Sequence, residues 1–296
     1  ALNTMLETPL TGNSSLILAF SHSYRNLYDI IEWDLTPNQE TRVDSDVTIE
    51  PDYLFRDLNL KYTFRNEQDV YFRLSMLAAQ DNFSYHIDEM ATRWFLLERN
   101  TSESSLQKGA SLVAGKNFKN GWNLKFGMSF SGLDAEYEND QKVVNTFTNK
   151  IRQSASHLAL NSTSETNVKL ESSYAMNSKH QIEGQFSWVW NNSLWKEDTA
   201  GINFIDQDIS GNHFTLMAQD RMTFEKFKLT PGIRVSRVPH LEKTFLEPRL
   251  SASFEITEHL NFNLATGLYR QFLTKNSVED EYGNYRYMWT VANESD

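Results

Sequence analysis

The sequence predicts an all-β fold, namely an antiparallel transmembrane β-barrel wall of about twelve strands. Segments of about ten residues alternate between apolar and polar side chains, which gives each strand one apolar and one polar face. Very short polar turns alternate with longer connections along the chain. Aromatic residues make up 13% of the 296 residues although the mean hydropathy is only −0.54. A membrane barrel needs that combination, because it joins aromatic girdles to a polar lumen.

The clearest alternation lies at residues 122–131. The apolar positions are Trp122, Leu124, Phe126, Met128 and Phe130, and the positions between them are Asn123, Lys125, Gly127, Ser129 and Ser131. A period of two over a whole segment is typical of a strand between two different solvents. The sequence contains no apolar run long enough for a transmembrane helix, so only strands are expected to cross a membrane.

The same pattern places the other strands in chain order. Strands are predicted at residues 1–9, 15–25, 52–64, 70–79, 107–118, 122–131, 166–174, 181–190, 214–224, from 229 onward, 247–256 and 260–273. The short turns are TGNS, RNEQD, KNG, NSKH, EKFK and TEH, and we expect them on one side of the membrane. One continuous domain is predicted, because no change of composition divides the chain.

The longer connections are expected on the other side of the membrane. They comprise residues 27–51, 81–104 and 191–212, and the segment 94–97 within them is expected to pack on itself or to form a short helix. The stretch 133–165 is polar with weak alternation, so two interpretations remain open, namely strand extensions above the membrane or a flexible loop.

No catalytic, metal or cofactor site is predicted. The seven histidines lie in different segments without metal-ligand spacing, and there is no cysteine. No nucleophile elbow, phosphate loop or dinucleotide fingerprint is present, so we do not expect an enzyme. The net charge of −11 argues against a nucleic-acid partner, which would require a basic surface.

Polar and aromatic side chains on the strands give the candidate site residues. Those predicted to face the lumen are Arg25, Arg73, Arg234, Arg249, Tyr269 and Gln271. An arginine that faced lipid at mid-membrane would cost about 2–4 kcal/mol, so we expect the arginines to face the aqueous lumen. Those predicted to lie at the membrane interface are Trp122, Trp188, Trp190 and Trp195, because indole rings suit a layer that is apolar on one side and wet on the other.

Four stretches carry a resemblance to a known family. PGIRVSRVPHLEKTFLEPRLSASFEI with LATGLYRQFLTK, together with LETPLTGNSSLILAFSHSYRNLYD and DNFSYHIDE, resembles the barrel of TonB-dependent outer-membrane receptors. The resemblance implies a bacterial outer-membrane location and a larger, 22-stranded barrel, of which residues 1–296 form about half the wall without a plug domain. It also implies import of a scarce nutrient such as a siderophore, cofactor, glycan or peptide.

The partners that the resemblance implies are the lipid bilayer, a plug domain, the remaining barrel strands, the TonB complex acting through an N-terminal region, and a surface lipoprotein. The lumen arginines are then expected to solvate the lumen or pair with the plug, in preference to direct ligand binding.

Two other interpretations stay open. A self-contained barrel acting as a passive pore or structural protein would require residues 1–9 to pair with residues 260–273, and we expect that pairing to be absent. A soluble sugar-binding β-protein would turn its apolar faces inward, and the aromatic rims count against it.

Overall fold

The computed structural model describes residues 2–23, 33–34, 47–279 and 285–291. Nearly all of these residues lie in antiparallel strands, with one short 3-10 helix at Pro239–Leu241. In this part of the chain, no helix has the length and apolar character needed to cross a membrane. The predicted all-β fold class is therefore confirmed.

The strands follow one another as a meander. Their bounds are β1 Leu2–Thr11, β2 Ser14–His22, β3 Trp33–Asp34, β4 Val47–Arg65, β5 Val70–Thr92, β6 Phe95–Asn117, β7 Trp122–Asn145, β8 Lys150–Ala175, β9 His180–Thr199, β10 Ile202–Phe224, β11 Phe227–Val238, β12 Lys243–Thr257, β13 Leu260–Gly267, β14 Leu273–Glu279 and β15 Tyr285–Val291. Twelve of them, β1, β2 and β4 to β13, pair in sequence order in one sheet, and β3 adds to β4. The predicted strand number is thus confirmed.

The sheet is open in the described part of the chain. β1 stands at one end of the strand order and β13 at the other, and no ladder joins them. The expectation that residues 1–9 do not pair with residues 260–273 is confirmed. The six predicted short turns lie between the expected strands, all at one end of the meander.

Each side of the sheet keeps one chemical character through cross-strand register. Phe126 lies opposite Ala114 on β6 and Leu170 on β8, whereas Lys125 lies opposite Gly115 and Glu171. We call the side that carries Phe126 the apolar face and the side that carries Lys125 the polar face. On β7 the five apolar-face side chains from Trp122 to Phe130 are 38 to 47% exposed, which suits contact with lipid.

The strands continue far beyond this apolar band. β5 to β10 contain 20 to 26 residues, whereas a tilted strand crosses a bilayer in about 9–11. The expectation that residues 81–104 and 191–212 form loops is wrong, because these polar segments satisfy their backbone groups in ladders with their neighbours. For residues 133–165, the strand-extension interpretation is correct.

The apolar residues at 94–97 form neither a helix nor a self-packed loop. Trp94 ends a two-residue turn and Phe95 begins β6, so consecutive apolar side chains arise where the chain reverses. The Trp94 ring packs instead against Phe147 in the neighbouring tip, with 4.5 Å between ring centroids.

The apolar face ends sharply on β7. Beyond Gly132, the same face carries Asp134, Glu136, Glu138 and Asp140. The ammonium of Lys108 lies 2.8 Å from Asp134 Oδ2, and Lys108 and Ser162 hold the pKa of the Asp134 carboxyl below its ordinary value. Acidic side chains have no place in hydrocarbon, so the lipid-facing band stops near Phe130.

The last hairpin departs from the predicted wall. β13 ends at Gly267, and β14 and β15 pair with each other as a separate two-stranded sheet instead of extending the large one. The hairpin lies on the polar face, where Asn161 of β8 and Ser193 of β9 hydrogen-bond to the backbone of Trp289. The predicted single strand over residues 260–273 is therefore wrong in its second half.

Spin labels at Phe126→Cys and Lys125→Cys should report opposite environments. The first should be relaxed by lipid-soluble oxygen and the second by a water-soluble nickel chelate, because the two side chains point to opposite faces. The chain has no native cysteine, so each label is unique within it. Equal accessibility at both positions would contradict the two-solvent sheet.

Labelling of single cysteines should separate the two ends of the sheet. Thr148→Cys lies in the β7–β8 tip and Lys226→Cys in the β10–β11 turn. On intact cells, a membrane-impermeant maleimide should modify Thr148→Cys alone, and permeabilised cells should show both. Modification of Lys226→Cys on intact cells with an unlabelled periplasmic control protein would refute this topology.

Candidate functional site

A buried carboxylate organises the polar face of β11 and β12. Glu247 is fully buried. A guanidinium nitrogen of Arg249 lies 3.2 Å from its Oε2, and Arg234 Nε lies 3.8 Å from the same oxygen. Ser236 Oγ donates a hydrogen bond of 2.9 Å to Oε1. A buried charge is tolerable only when paired and hydrogen-bonded, and this carboxylate is both.

The register of the two strands builds the cluster. Arg234 is the direct cross-strand partner of Glu247, and Arg249 follows two residues later on the same face of β12. β10 contributes Thr215, whose Oγ1 accepts a hydrogen bond of 3.2 Å from Arg234. Side chains of β10 and β12 therefore hold Arg234 of β11, and Glu247 holds Arg249 on its own strand.

The cluster keeps an excess of positive charge. Two arginines face one carboxylate, and their side chains remain 24 and 25% exposed. The Nε atoms of both are buried without a hydrogen-bond partner among the described residues. The guanidinium of Arg249 also lies 4.8 Å from the ring centroid of the exposed Tyr269, a cation–π contact. The arrangement can receive one further anionic or hydrogen-bond-accepting group.

The structure therefore brings together three of the predicted lumen residues, Arg234, Arg249 and Tyr269. Arg73 lies on the polar face of β5, which five strands separate from β11 in the strand order. Gln271 follows the end of β13 and donates a hydrogen bond to the Leu273 carbonyl. Arg25 lies outside the described residues.

The predicted interface aromatics divide into separate groups. The ring of Trp122 packs against that of Tyr174, with 4.9 Å between ring centroids, at the end of the sheet that carries the short turns. Trp188 and Trp190 share the apolar face of β9, and Trp190 is 50% exposed. Trp195 lies on the opposite face of the same strand and donates to Glu197. It is therefore separated from the Trp188 and Trp190 pair.

Glu247 is a site residue that the sequence patterns did not single out. The usable signal was the cross-strand pairing of two predicted strands, which would have set Glu247 against Arg234.

A small apolar cluster above the charged one was also missed. Val238, Leu241 and Phe272 pack together in a buried core. Phe272 also meets Phe245 at 5.8 Å and His213 at 4.8 Å between ring centroids. This core ties the segment after β13 to the 3-10 helix. Among the described residues, no group of three or more acidic or histidine side chains could hold a metal ion.

Comparison with known proteins gives one family match. Residues 18–271 match the family model described as "TonB dependent receptor-like, beta-barrel". The match covers nearly all of the large sheet, from β2 to β13. No curated protein matches the sequence.

Several solved structures are similar in fold. The ferric yersiniabactin uptake receptor FyuA from Yersinia pestis is 9% identical, with a TM-score of 0.43 over 95% of this chain and 56% of that one. The ferric-catecholate import receptor Fiu from E. coli K12 is 8% identical, with a TM-score of 0.36 over 98% and 60%. A mutant of the ferric enterobactin receptor PfeA from Pseudomonas aeruginosa is 11% identical, with a TM-score of 0.34 over 80% and 44%. The chain thus spans about half the length of these receptors.

Replacing the buried carboxylate should destabilise the wall. Glu247→Gln keeps the shape but leaves two guanidinium groups without a counter-charge, at a cost of about 3 kcal/mol in the free energy of unfolding. Urea unfolding in lipid vesicles measures it. The control, Glu255→Gln, changes an exposed carboxylate on the same face of β12 and should alter stability by less than about 0.5 kcal/mol. Equal stability of the two variants would show that Glu247 is not the organising charge.

Proposed function

Because the chain belongs to the TonB-dependent receptor-like β-barrel family, we propose that it forms part of the wall of an outer-membrane transporter. This transporter binds a scarce nutrient at the cell surface and imports it into the periplasm. The observation that carries the proposal is the family match over residues 18–271, which coincides with the sheet that has one apolar and one polar face.

The outer-membrane location is supported by the distribution of side chains on the sheet. The apolar face of β7 spans Trp122 to Phe130 and gives way to acidic residues above it. Trp190 and Trp122 lie towards opposite ends of that band, as expected for interfacial girdles. The strand extensions above the band then lie outside the cell, where they reach the ligand first.

We assign the cluster of Arg234, Glu247 and Arg249 to contact with a plug domain inside the barrel. Its excess positive charge and the exposed quarter of each arginine side chain favour an acidic or carbonyl-bearing partner that stays in place for long periods. A plug supplies such a partner, whereas a transported ligand would leave the arginines unsatisfied after each release. In the proposal, the TonB complex acts on that plug through an N-terminal region, and a surface lipoprotein is a further partner.

The alternative function is a passive pore built from these strands alone. Such a pore would require β1 to pair with β13, and the described sheet contains no such ladder. The transporter proposal requires no closure between these two strands. The transporter proposal includes no chemical conversion of the ligand, because the family is one of receptors.

Uptake by intact cells tests the proposal. The experiment compares three strains, namely one that carries the full-length protein, a deletion strain and a strain without the TonB energising protein. The measurement is which isotope-labelled compounds each strain removes from its growth medium. Both altered strains should fail to take up the same compound, because energised import needs the receptor and TonB together. Uptake that persists without TonB would favour the passive pore, and recovery of the protein in the soluble fraction would refute both.

A further inference from the structure

A cleft of ≈ 540 Å³ opens between the β14–β15 hairpin and the polar face of β5 to β8. Its volume falls within the range of about 300–1,000 Å³ that is usual for small-molecule sites. The cleft lies above the lipid-facing band, since Glu165 in its wall is level with Ser131 of β7. It is separate from the charged cluster, because neither Glu247 nor its arginines line it.

The walls combine one aromatic surface with many hydrogen-bonding groups. Trp289 and Leu273 form the hairpin side. The sheet side presents the hydroxyls of Ser105 and Thr163 and the amide of Gln107. Hydroxyls and amides both donate and accept hydrogen bonds, so this side suits a ligand that does both.

The backbone of Trp289, which carries the aromatic wall, is fixed in place. Trp289 N donates a hydrogen bond of 3.0 Å to Asn161 Oδ1, and Asn161 Nδ2 donates to the Trp289 carbonyl at 3.3 Å. Ser193 Oγ donates to the same carbonyl at 2.5 Å. Asn161 and Ser193 are themselves 5 and 3% exposed. Three hydrogen bonds therefore fix the backbone of Trp289 at the cleft, and pre-organisation of the residue that carries the indole favours binding.

The charges of the cleft are predominantly negative. Glu103, Glu165 and Lys275 bring two carboxylates and one ammonium to the cleft. Lys108 also lines it, but its ammonium lies 2.8 Å from Asp134 Oδ2 and is neutralised there. Burial raises the pKa of the Glu165 carboxyl, and no described charge or hydrogen bond offsets that burial. A half-buried carboxyl in this position is an acceptor for a donor that the ligand supplies. An anionic metal chelate would meet repulsion there instead.

We propose that this cleft binds an uncharged, hydroxyl-rich ligand of the saccharide class. A sugar ring lies against the indole of Trp289, and its hydroxyls donate to Glu165 and to Thr163 Oγ1, whose own proton goes to the Asn192 carbonyl, and exchange hydrogen bonds with Gln107. The inference rests on the proposed function as an uptake receptor, and it gives that receptor's ligand a chemical class.

Binding by the full-length protein, purified from outer membranes in detergent, tests the assignment. The probes are an immobilised panel of short neutral oligosaccharides and a set of anionic ferric catecholate and hydroxamate complexes. Members of the oligosaccharide panel should bind. Trp289→Leu and Glu165→Leu should each weaken that binding roughly tenfold, the effect of one aromatic or hydrogen-bond contact.

The matched control is Glu136→Leu, which removes an exposed carboxylate from the apolar side of β7 at a similar height. It should bind the panel as the unaltered protein does, and all variants should show the same heat-dependent shift on gels as a test of folding. Saccharide binding that survives both cleft substitutions would overturn the location. Binding of ferric complexes alone would overturn the ligand class and leave the transport proposal standing. Binding of neither probe set would overturn the cleft assignment, and the TonB-dependent uptake experiment would still decide on transport.

Discussion

The structure depends on one constraint, that a sheet between lipid and water must pair its backbone groups and sort its side chains at the same time. Antiparallel ladders from β1 to β13 pair the backbone groups, since successive strands are neighbours along the meander. The alternation of apolar and polar residues sorts the side chains, because successive residues along a strand point to opposite faces of the sheet. A register slip of one residue would place Lys125 in lipid and Phe126 in water.

The same register explains why charges gather where they do. Side chains that are excluded from the apolar face meet one another on the polar face, and cross-strand neighbours become ion pairs. Glu247 with Arg234 and Lys125 with Glu171 arise in this way. Glu247 is buried, and with Arg249 beside Arg234 its cluster carries one spare positive charge, so the cluster suits a fixed protein partner. The cleft beneath Trp289 is acidic and rich in hydroxyls, so it suits a small polar ligand.

The alternation of apolar and polar residues predicted the fold well, because it is a local pattern that can be recognised within a single strand. The strand number, the six short turns and the faces of Phe126 and Lys125 follow from it. The strand extensions could not be predicted in this way, because both faces of the sheet meet water above the membrane. The alternation therefore fades around residues 81–104, although the ladder continues. Glu247 and the β14–β15 hairpin depend on contacts between distant segments. Asn161 and Trp289 are 128 residues apart, and no local pattern predicts their hydrogen bonds.

A cryo-electron microscopy structure of the full-length protein in lipid nanodiscs tests the central claim most directly. Density for acyl chains should follow the apolar face of β7 from Trp122 to Phe130 and stop before Asp134. Glu247 with its two arginines should face the interior of the barrel. Acyl density against Lys125 and Ser129, or packing of Phe126 against protein inside a closed core, would contradict it.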